Sequence, residues 1–514
     1  LLYRQIVIKK ERRMKFSLPK EQNMKPITSF LLCAALGAAI TTVSAQDADL
    51  ASADSSNFKD KYPFQYERWT ASKADTVTGD MIEAYPALAI LRAGTGGPAG
   101  PRLLKLRGHY YSYLDFATMQ DSGIPSGGKN DNTSARCLVC HSTLSAAIQD
   151  KDGEKVLLSS KWSKYGKDGF HPVGCINCHD PKTMQLRVQP TWLNKMLVKA
   201  GKPVFEKAGN DRFSLICAQC HYEGYTKTDT EALPDNPNAK VINSFTAWKN
   251  GLDLASQEAY LNDGKNFENN KPHVDLIHPL SKTPIIWSIH PDFEVFKTGV
   301  HGKNGVQCTS CHMPKVTEKG IKLTDHKIGN PLNNVQSACG QCHGTKAETM
   351  AAIVKERKQR AETLRVNSMN NLAAAHLEAK KAWEVGASQE EMKPVLAEIR
   401  SSYWHWNSLA RAAYMHNPDE TFAGFARAND SAQKARLLLK DILVKHGVTN
   451  YQVPEFDTKE KALALLDLPQ RDTFIKEKCN SIEKDFAEWR KTPGFKEPQM
   501  PANIESWYER ECKK

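Results

Sequence analysis

Cys137-Leu138-Val139-Cys140-His141 is the stretch that decides the fold, because the same Cys-x-x-Cys-His pattern returns four times. The later copies are Cys175, Cys178 and His179; Cys217, Cys220 and His221; Cys308, Cys311 and His312; and Cys339, Cys342 and His343. Ten of the chain's 13 cysteines are used in this way, where chance at these residue frequencies gives about 0.01 copies. In such a motif two thiols add to the two heme vinyl groups and the adjacent imidazole binds the iron, so the spacing is fixed by the porphyrin. Zinc also takes Cys-x-x-Cys pairs, but zinc ribbons need no histidine after every second cysteine. Five covalently bound hemes c are therefore the expected cofactors.

Working outward, 514 residues with 40% hydrophobic and 25% charged content allow one large or several ordinary domains. The first 45 residues read as an export signal. Met24 and Lys25 open a basic region, an apolar run covers 27–40, and Val43-Ser44-Ala45 offers small residues for cleavage before Gln46. Residues upstream of Met24 read as an extension, and Cys33 is expected to leave with the signal. The removed segment carries eight Lys or Arg and two acids, so the formal charge of +12 falls to +6. Heme propionates offset much of that, which argues against nucleic acid as a partner. No later run of about 18 apolar residues follows, so a soluble protein outside the cytoplasm is expected.

Residues 46–345 hold all five motifs among many Gly, Pro, Asn and Lys residues, as expected where side chains pack on bulky cofactors. From 346 to 514 Ala, Glu, Lys, Leu and Arg dominate, and the pattern turns helical. One helix is predicted from Lys346 to Trp383, with Ile353, Leu364, Leu372 and Leu377 among its apolar positions and Gly386 ending it. Ser388 and Glu391 form a capping box for a second. It carries Ala397, Ile399, Trp404, Trp406, Leu409 and Ala412 inward until Pro418 stops it, and Pro394 requires a late start or a bend. A third is predicted from Glu420 to His446. The fold class is thus mainly α, a heme-packed N-terminal region followed by long helices.

An iron that only shuttles electrons needs a second axial ligand, and one that binds substrate lacks it. Eleven of the 16 histidines lie outside the motifs, and four of these have unusual surroundings. They are His109 in Arg-Gly-His, His301 in Gly-Val-His-Gly-Lys-Asn, His326 in Thr-Asp-His-Lys-Ile-Gly-Asn, and His416 before Asn417-Pro418.

With these residues in place the sequence resembles the pentaheme ammonia-forming cytochrome c nitrite reductases. The resemblance rests on the order and spacing of the motifs, Arg107-Gly108-His109, Ser281-Lys282-Thr283-Pro284, His290-Pro291, the run from His301 to Asn304, Cys311 to Lys315, Thr324 to Pro331, and the tail with Trp404 and Trp406. It implies a periplasmic, mainly helical homodimer joined through the C-terminal helices, and a multiheme or quinol-linked electron donor. It also implies that His109, His301, His326 and His416 are distal ligands, and that the heme on Cys137 and Cys140 is the catalytic one. There nitrite takes up six electrons and eight protons to give ammonium.

The chain departs from that family at several positions. His141 stands where most members have a lysine ligand. Asp121 takes the place of a catalytic arginine and Gly224 that of a catalytic tyrosine, leaving His290 from the catalytic trio. The family's calcium site keeps Glu223 and the backbones of Gly224 and Trp287, but Ile289 replaces a glutamine side chain. Exchanging an arginine for an ionised aspartate about 5 Å from a bound anion changes the interaction by roughly 6 kcal/mol at an effective dielectric near 20. Millimolar binding amounts to only about 4 kcal/mol. Nitrite binding then requires Asp121 to turn away, to be protonated or to be offset by Arg136 or Lys129.

Three functions stay open from the sequence. One is nitrite reduction with His290 relaying protons and His141 supporting the iron. Another is a pentaheme electron carrier in which His290 closes the first iron. The third is a reductase for a neutral species such as hydroxylamine or a related small nitrogen or sulfur compound. Cys479 and Cys512 remain outside the motifs, and separation alone does not say whether they pair.

Overall fold

The last third of the chain folds as its composition directs, into its longest helices. The computed structural model describes residues 52–74, 79–96, 100, 101, 103, 105, 107–117, 134–161, 164, 165, 171–229, 241–288, 290–411, 414–489, 491, 511 and 512. The export-signal reading of residues 1–45, Asp121, Lys129, Ile289 and Ala412 fall outside them.

Helix α1 spans Ala347–Glu384, α2 Gln389–Arg411, α3 Pro418–Lys445 and α4 Arg471–Trp489. Gly386 follows α1 at φ +91°, a conformation that costs a residue with a Cβ and that ends the helix cleanly. The capping box at α2 is reciprocal: the Ser388 amide donates to Glu391 Oε2 at 2.8 Å, and the Glu391 amide donates to Ser388 Oγ at 3.3 Å. Pro394 neither delays α2 nor ends it, since the helix carries it inside. Pro418 differs from expectation in starting α3 rather than stopping α2. It occupies the first helical position, where its missing N–H costs nothing, and the Asn417 side chain caps the Glu420 amide.

α3 packs on both α1 and α2, and the short helix Ala87–Leu91 docks on α1. Their seam is a core of Leu372, Leu377, Ile399, Trp404, Trp406, Leu409, Phe425 and Leu439. Trp404 is fully buried and its indole N–H donates to the Leu254 carbonyl at 3.0 Å, so truncation to alanine would cost about 3–5 kcal/mol. Ile353 and Ala397 do not join this core. Ile353 is 37% exposed, and the residues from 355 to 360 after it are exposed.

The region before α1 is a succession of short helices and three antiparallel two-stranded ribbons, Tyr225–Asp229 with Val241–Phe245, Leu276–Ile277 with Pro284–Ile285, and Lys315–Glu318 with Ile321–Thr324. A second core, rich in aromatic residues, gathers Tyr111, Tyr113, Leu138, Trp192, Tyr222, Trp248 and Phe293 around Cys137, Cys140, Cys178 and Cys217. Cys479 on α4 and Cys512 form a disulfide, with Cα atoms 5.4 Å apart, and pack against this same core. No helix among the described residues is long and apolar enough to cross a membrane.

Candidate functional site

Each motif lies on or beside a short helix: Leu138–His141, Cys175–Cys178, the end of Arg212–Ala218, Cys308–His312 and Gly340–His343. None of the ten motif cysteines is in a disulfide. Cys140 and Cys220 are in hydrogen-bonding contact, as are Cys217 and Cys308. The attachment points of the first, third and fourth motifs therefore abut in that order.

Several of the candidate ligand histidines are held by Nδ1, leaving Nε2 for another partner. His141 Nδ1 meets the Ser112 carbonyl at 3.1 Å, His179 the Met184 carbonyl at 2.8 Å, His312 the Gly329 carbonyl at 2.9 Å, and His326 the Thr324 carbonyl at 2.8 Å. His221 differs: its Nδ1 meets a carboxylate oxygen, Asp292 Oδ2, at 3.2 Å. Burial pushes His109, His141 and His416 down to about 4, so these imidazoles are neutral, the form a metal binds.

Three pairs of rings face each other at one spacing. His179 and His326 have centroids 6.3 Å apart, His301 and His343 6.2 Å, and His312 and His416 6.1 Å. Two imidazoles on one metal, each bonded at about 2 Å, place their centroids about 6 Å apart, so the residues present fit bis-histidine heme. His109 lies within electrostatic reach of His221 and His312. The Arg107 amide and Nε donate to the Asp115 carboxylate at 3.0 Å, which fastens the Arg-Gly-His turn to the helix Ser112–Ala117. His141 is set apart: its ring stacks on Phe116 with centroids 4.3 Å apart, and no second imidazole faces it among the described residues.

Beside the third motif lies a cluster whose centre is the turn His290-Pro291-Asp292. The Phe293 amide donates to the His221 carbonyl at 3.0 Å, and the His290 amide donates to Glu223 Oε2 at 3.2 Å. The His290 side chain is 40% exposed and its ring centroid is 5.5 Å from that of His221. His221, His290 and Asp292 form the one group of three metal-binding side chains among the described residues. Its His221 belongs to the third heme motif, so the group is part of the heme site. Arg136 acts electrostatically on both thiols of the first motif.

Glu223 is fully buried and accepts the Ser288 hydroxyl as well as the His290 amide through Oε2. Calcium requires six to eight oxygen ligands. Glu223, with Oε2 engaged by two donors, does not by itself supply that shell, and no step below is routed through calcium. Glu294, also fully buried, accepts the Glu223 amide at 2.9 Å and the Trp248 indole at 2.7 Å through Oε1, and burial pushes its carboxyl up to about 7.

Sequence reasoning missed Asp292, Glu294 and Tyr222. For Asp292 a signal existed, an acid directly after a proline at a helix start. For the others none did, because their significance comes from contacts across the chain.

Residues 54–494 match the Cytochrome c552 family. Cytochrome c-552 of Aliarcobacter butzleri is 36% identical over 87% of this chain and 89% of that protein. Cytochrome c-552 of Maridesulfovibrio salexigens is 38% identical over 84% of each. Among solved structures, a cytochrome c nitrite reductase from Desulfovibrio desulfuricans, described with two calcium sites, superposes with a TM-score of 0.66 at 24% identity, covering 78% of this chain and 89% of its own.

Proposed function

Because the chain belongs to the cytochrome c552 family, we propose that it is an exported five-heme reductase that converts nitrite to ammonium at the iron held through Cys137, Cys140 and His141. The observation that carries this reading is the asymmetry among the motif histidines. His179, His312 and His343 each face a second imidazole at 6.1–6.3 Å, whereas His141 stacks on Phe116. In this reading His326, His416 and His301 are the distal ligands for the second, fourth and fifth motifs. His109, within reach of His221, serves the third.

Bound heme c supplies one-electron redox chemistry and an iron position for the nitrite nitrogen. The Ser112 carbonyl orients His141 through Nδ1. The attachment sulfurs of Cys140 and Cys220 and of Cys217 and Cys308 are neighbours, so the first, third and fourth attachment points would hold their electron carriers close together, which suits a reaction that consumes six electrons. His290, partly exposed and anchored by its amide to Glu223, hands on protons. Arg136, which acts electrostatically on both thiols of the first motif, supplies positive charge beside this heme.

The Cys479–Cys512 disulfide supports an oxidising compartment and hence the export reading. Leu437 and Val444 on α3, 65% and 48% exposed, and Ile353 on α1 support association of two copies through the long helices. A multiheme or quinol-linked protein is the proposed electron donor.

The test uses purified holoprotein. One high-spin, ligand-accessible heme among five, and ammonium formed from nitrite with a reduced donor at six electrons each, are expected. Five low-spin hemes without turnover would make the protein an electron carrier. Reduction of hydroxylamine without reduction of nitrite would move the substrate to the neutral class.

A further inference from the structure

Asp292 stands where three histidines converge. Its Oδ2 lies 3.2 Å from His221 Nδ1 and 4.0 Å from His290 Nδ1, and its Oδ1 lies 3.9 Å from His416 Nδ1. The position is built. Pro291 precedes the helix Asp292–Thr298, and the Phe293 amide ties that helix to the His221 carbonyl. On the other side Asn417 Nδ2 donates to Thr298 Oγ1 at 3.1 Å. Gly299 permits the approach of the His416 backbone, since a Cβ there would sit 2.1 Å from the His416 carbonyl oxygen. His416 Nδ1 is buried without a hydrogen-bond partner, so the carboxylate 3.9 Å away acts on it through charge.

We infer that Asp292 is a positioning residue that sets the reduction potentials of two hemes together, those ligated by His221 and by the pair His312 and His416. This rests on the ligand assignment proposed above. An imidazole that gives its Nδ1 proton to a carboxylate becomes a stronger donor and favours the oxidised metal. His141, His179, His312 and His326 give theirs to neutral backbone carbonyls, whereas His221 and His416 turn Nδ1 toward Asp292; His312, the partner of His416, feels the same charge from further off. The same anion lies 4.0 Å from Nδ1 of His290, the proposed proton-delivery residue.

The experiment is a potentiometric titration of Asp292→Asn holoprotein followed by electron paramagnetic resonance, with heme count by mass. Five hemes with unchanged low-spin signals establish that the ligand assignment stands; their loss would count against that assignment itself. Two low-spin centres are then expected to shift at least tenfold toward reduction, 59 mV for one electron, while the others move less than threefold. Asp292→Glu, which keeps the charge, holds both within threefold of the parent. Potentials equal to the parent's, a uniform shift of all five, or an Asp292→Glu shift as large as that of Asp292→Asn overturns the proposal. The unmutated protein gives a second readout. At least one low-spin centre must show the ligand field of an imidazolate-like histidine, and its absence overturns the proposal without a variant.

Discussion

The ring of Tyr222 lies over Gly224, so closely that a Cβ at 224 would come 2.5 Å from Tyr222 Cε2 and 2.7 Å from its Cζ and hydroxyl oxygen. Gly224 is absent from the positive-φ residues, so space rather than backbone conformation demands glycine here. Tyr222 is 7% exposed and meets Trp248 edge-on at 6.2 Å, which confines the ring. Gly224→Ala should therefore destabilise the holoprotein by about 1–3 kcal/mol, the usual cost of overpacking. The same change in a Tyr222→Ala background should cost much less. Denaturant midpoints of the four proteins in this cycle check it, and equal costs in both backgrounds would refute the steric account.

Glu294 predicts a pH dependence. Burial raises its carboxyl to about 7 in the folded protein, against 4.5 for the ordinary side chain. The folded state then holds a proton that the unfolded state has released between those values, so stability is greatest below 4.5 and falls as pH rises toward 7. The loss attributable to this group is about 3 kcal/mol. Glu294→Gln keeps an oxygen for the Glu223 amide and the Trp248 indole but removes the charge. It should be more stable than the parent at pH 8 and close to it at pH 4. Denaturation midpoints at the two pH values decide the matter, and a parallel offset at both would contradict the assignment.

The Cys479–Cys512 bridge closes a loop of sequence separation 33. In the chain-entropy account a loop of that length contributes about 3–4 kcal/mol by restricting the unfolded chain. Cys479→Ser paired with Cys512→Ser should lower stability by up to that amount and leave five attached hemes, because neither residue belongs to a motif. A free-thiol assay before and after reduction and a denaturation curve provide the measurement. Heme loss in the double variant would instead tie the bridge to cofactor attachment.

The motifs, the mainly helical class, the extent of α1 and the start of α2 are legible in the sequence because each depends on near neighbours: five-residue motifs, the capping box at Ser388 and Glu391, and Gly386 as a terminator. His301, His326 and His416 stand out through their local settings, and the structure sets each opposite a motif histidine. What escapes the sequence is long-range. Asp292 meets His221 across 71 positions, Tyr222 matters through the space it takes from Gly224, and the partner of Cys479 depends on where α4 lies. Pro418 misleads for another reason: proline both stops and starts helices, and only the Asn417 cap identifies the start.

His290 gives the prediction closest to the proposed chemistry. Its fold role lies in the backbone, since the amide that donates to Glu223 survives in alanine and Pro291 still fixes the turn. Its side chain is 40% exposed and its Nδ1 lies 4.0 Å from Asp292, where His221 Nδ1 lies 3.2 Å from that carboxylate. His290→Ala should consequently retain five hemes and normal reduction by an artificial donor while losing turnover on nitrite. A general acid contributes about 10²–10⁴-fold, so kcat should fall by that factor with a smaller change in KM. Steady-state rates across pH, with heme content measured in parallel, test it. Unchanged kcat would remove His290 from proton delivery and assign that task to another group.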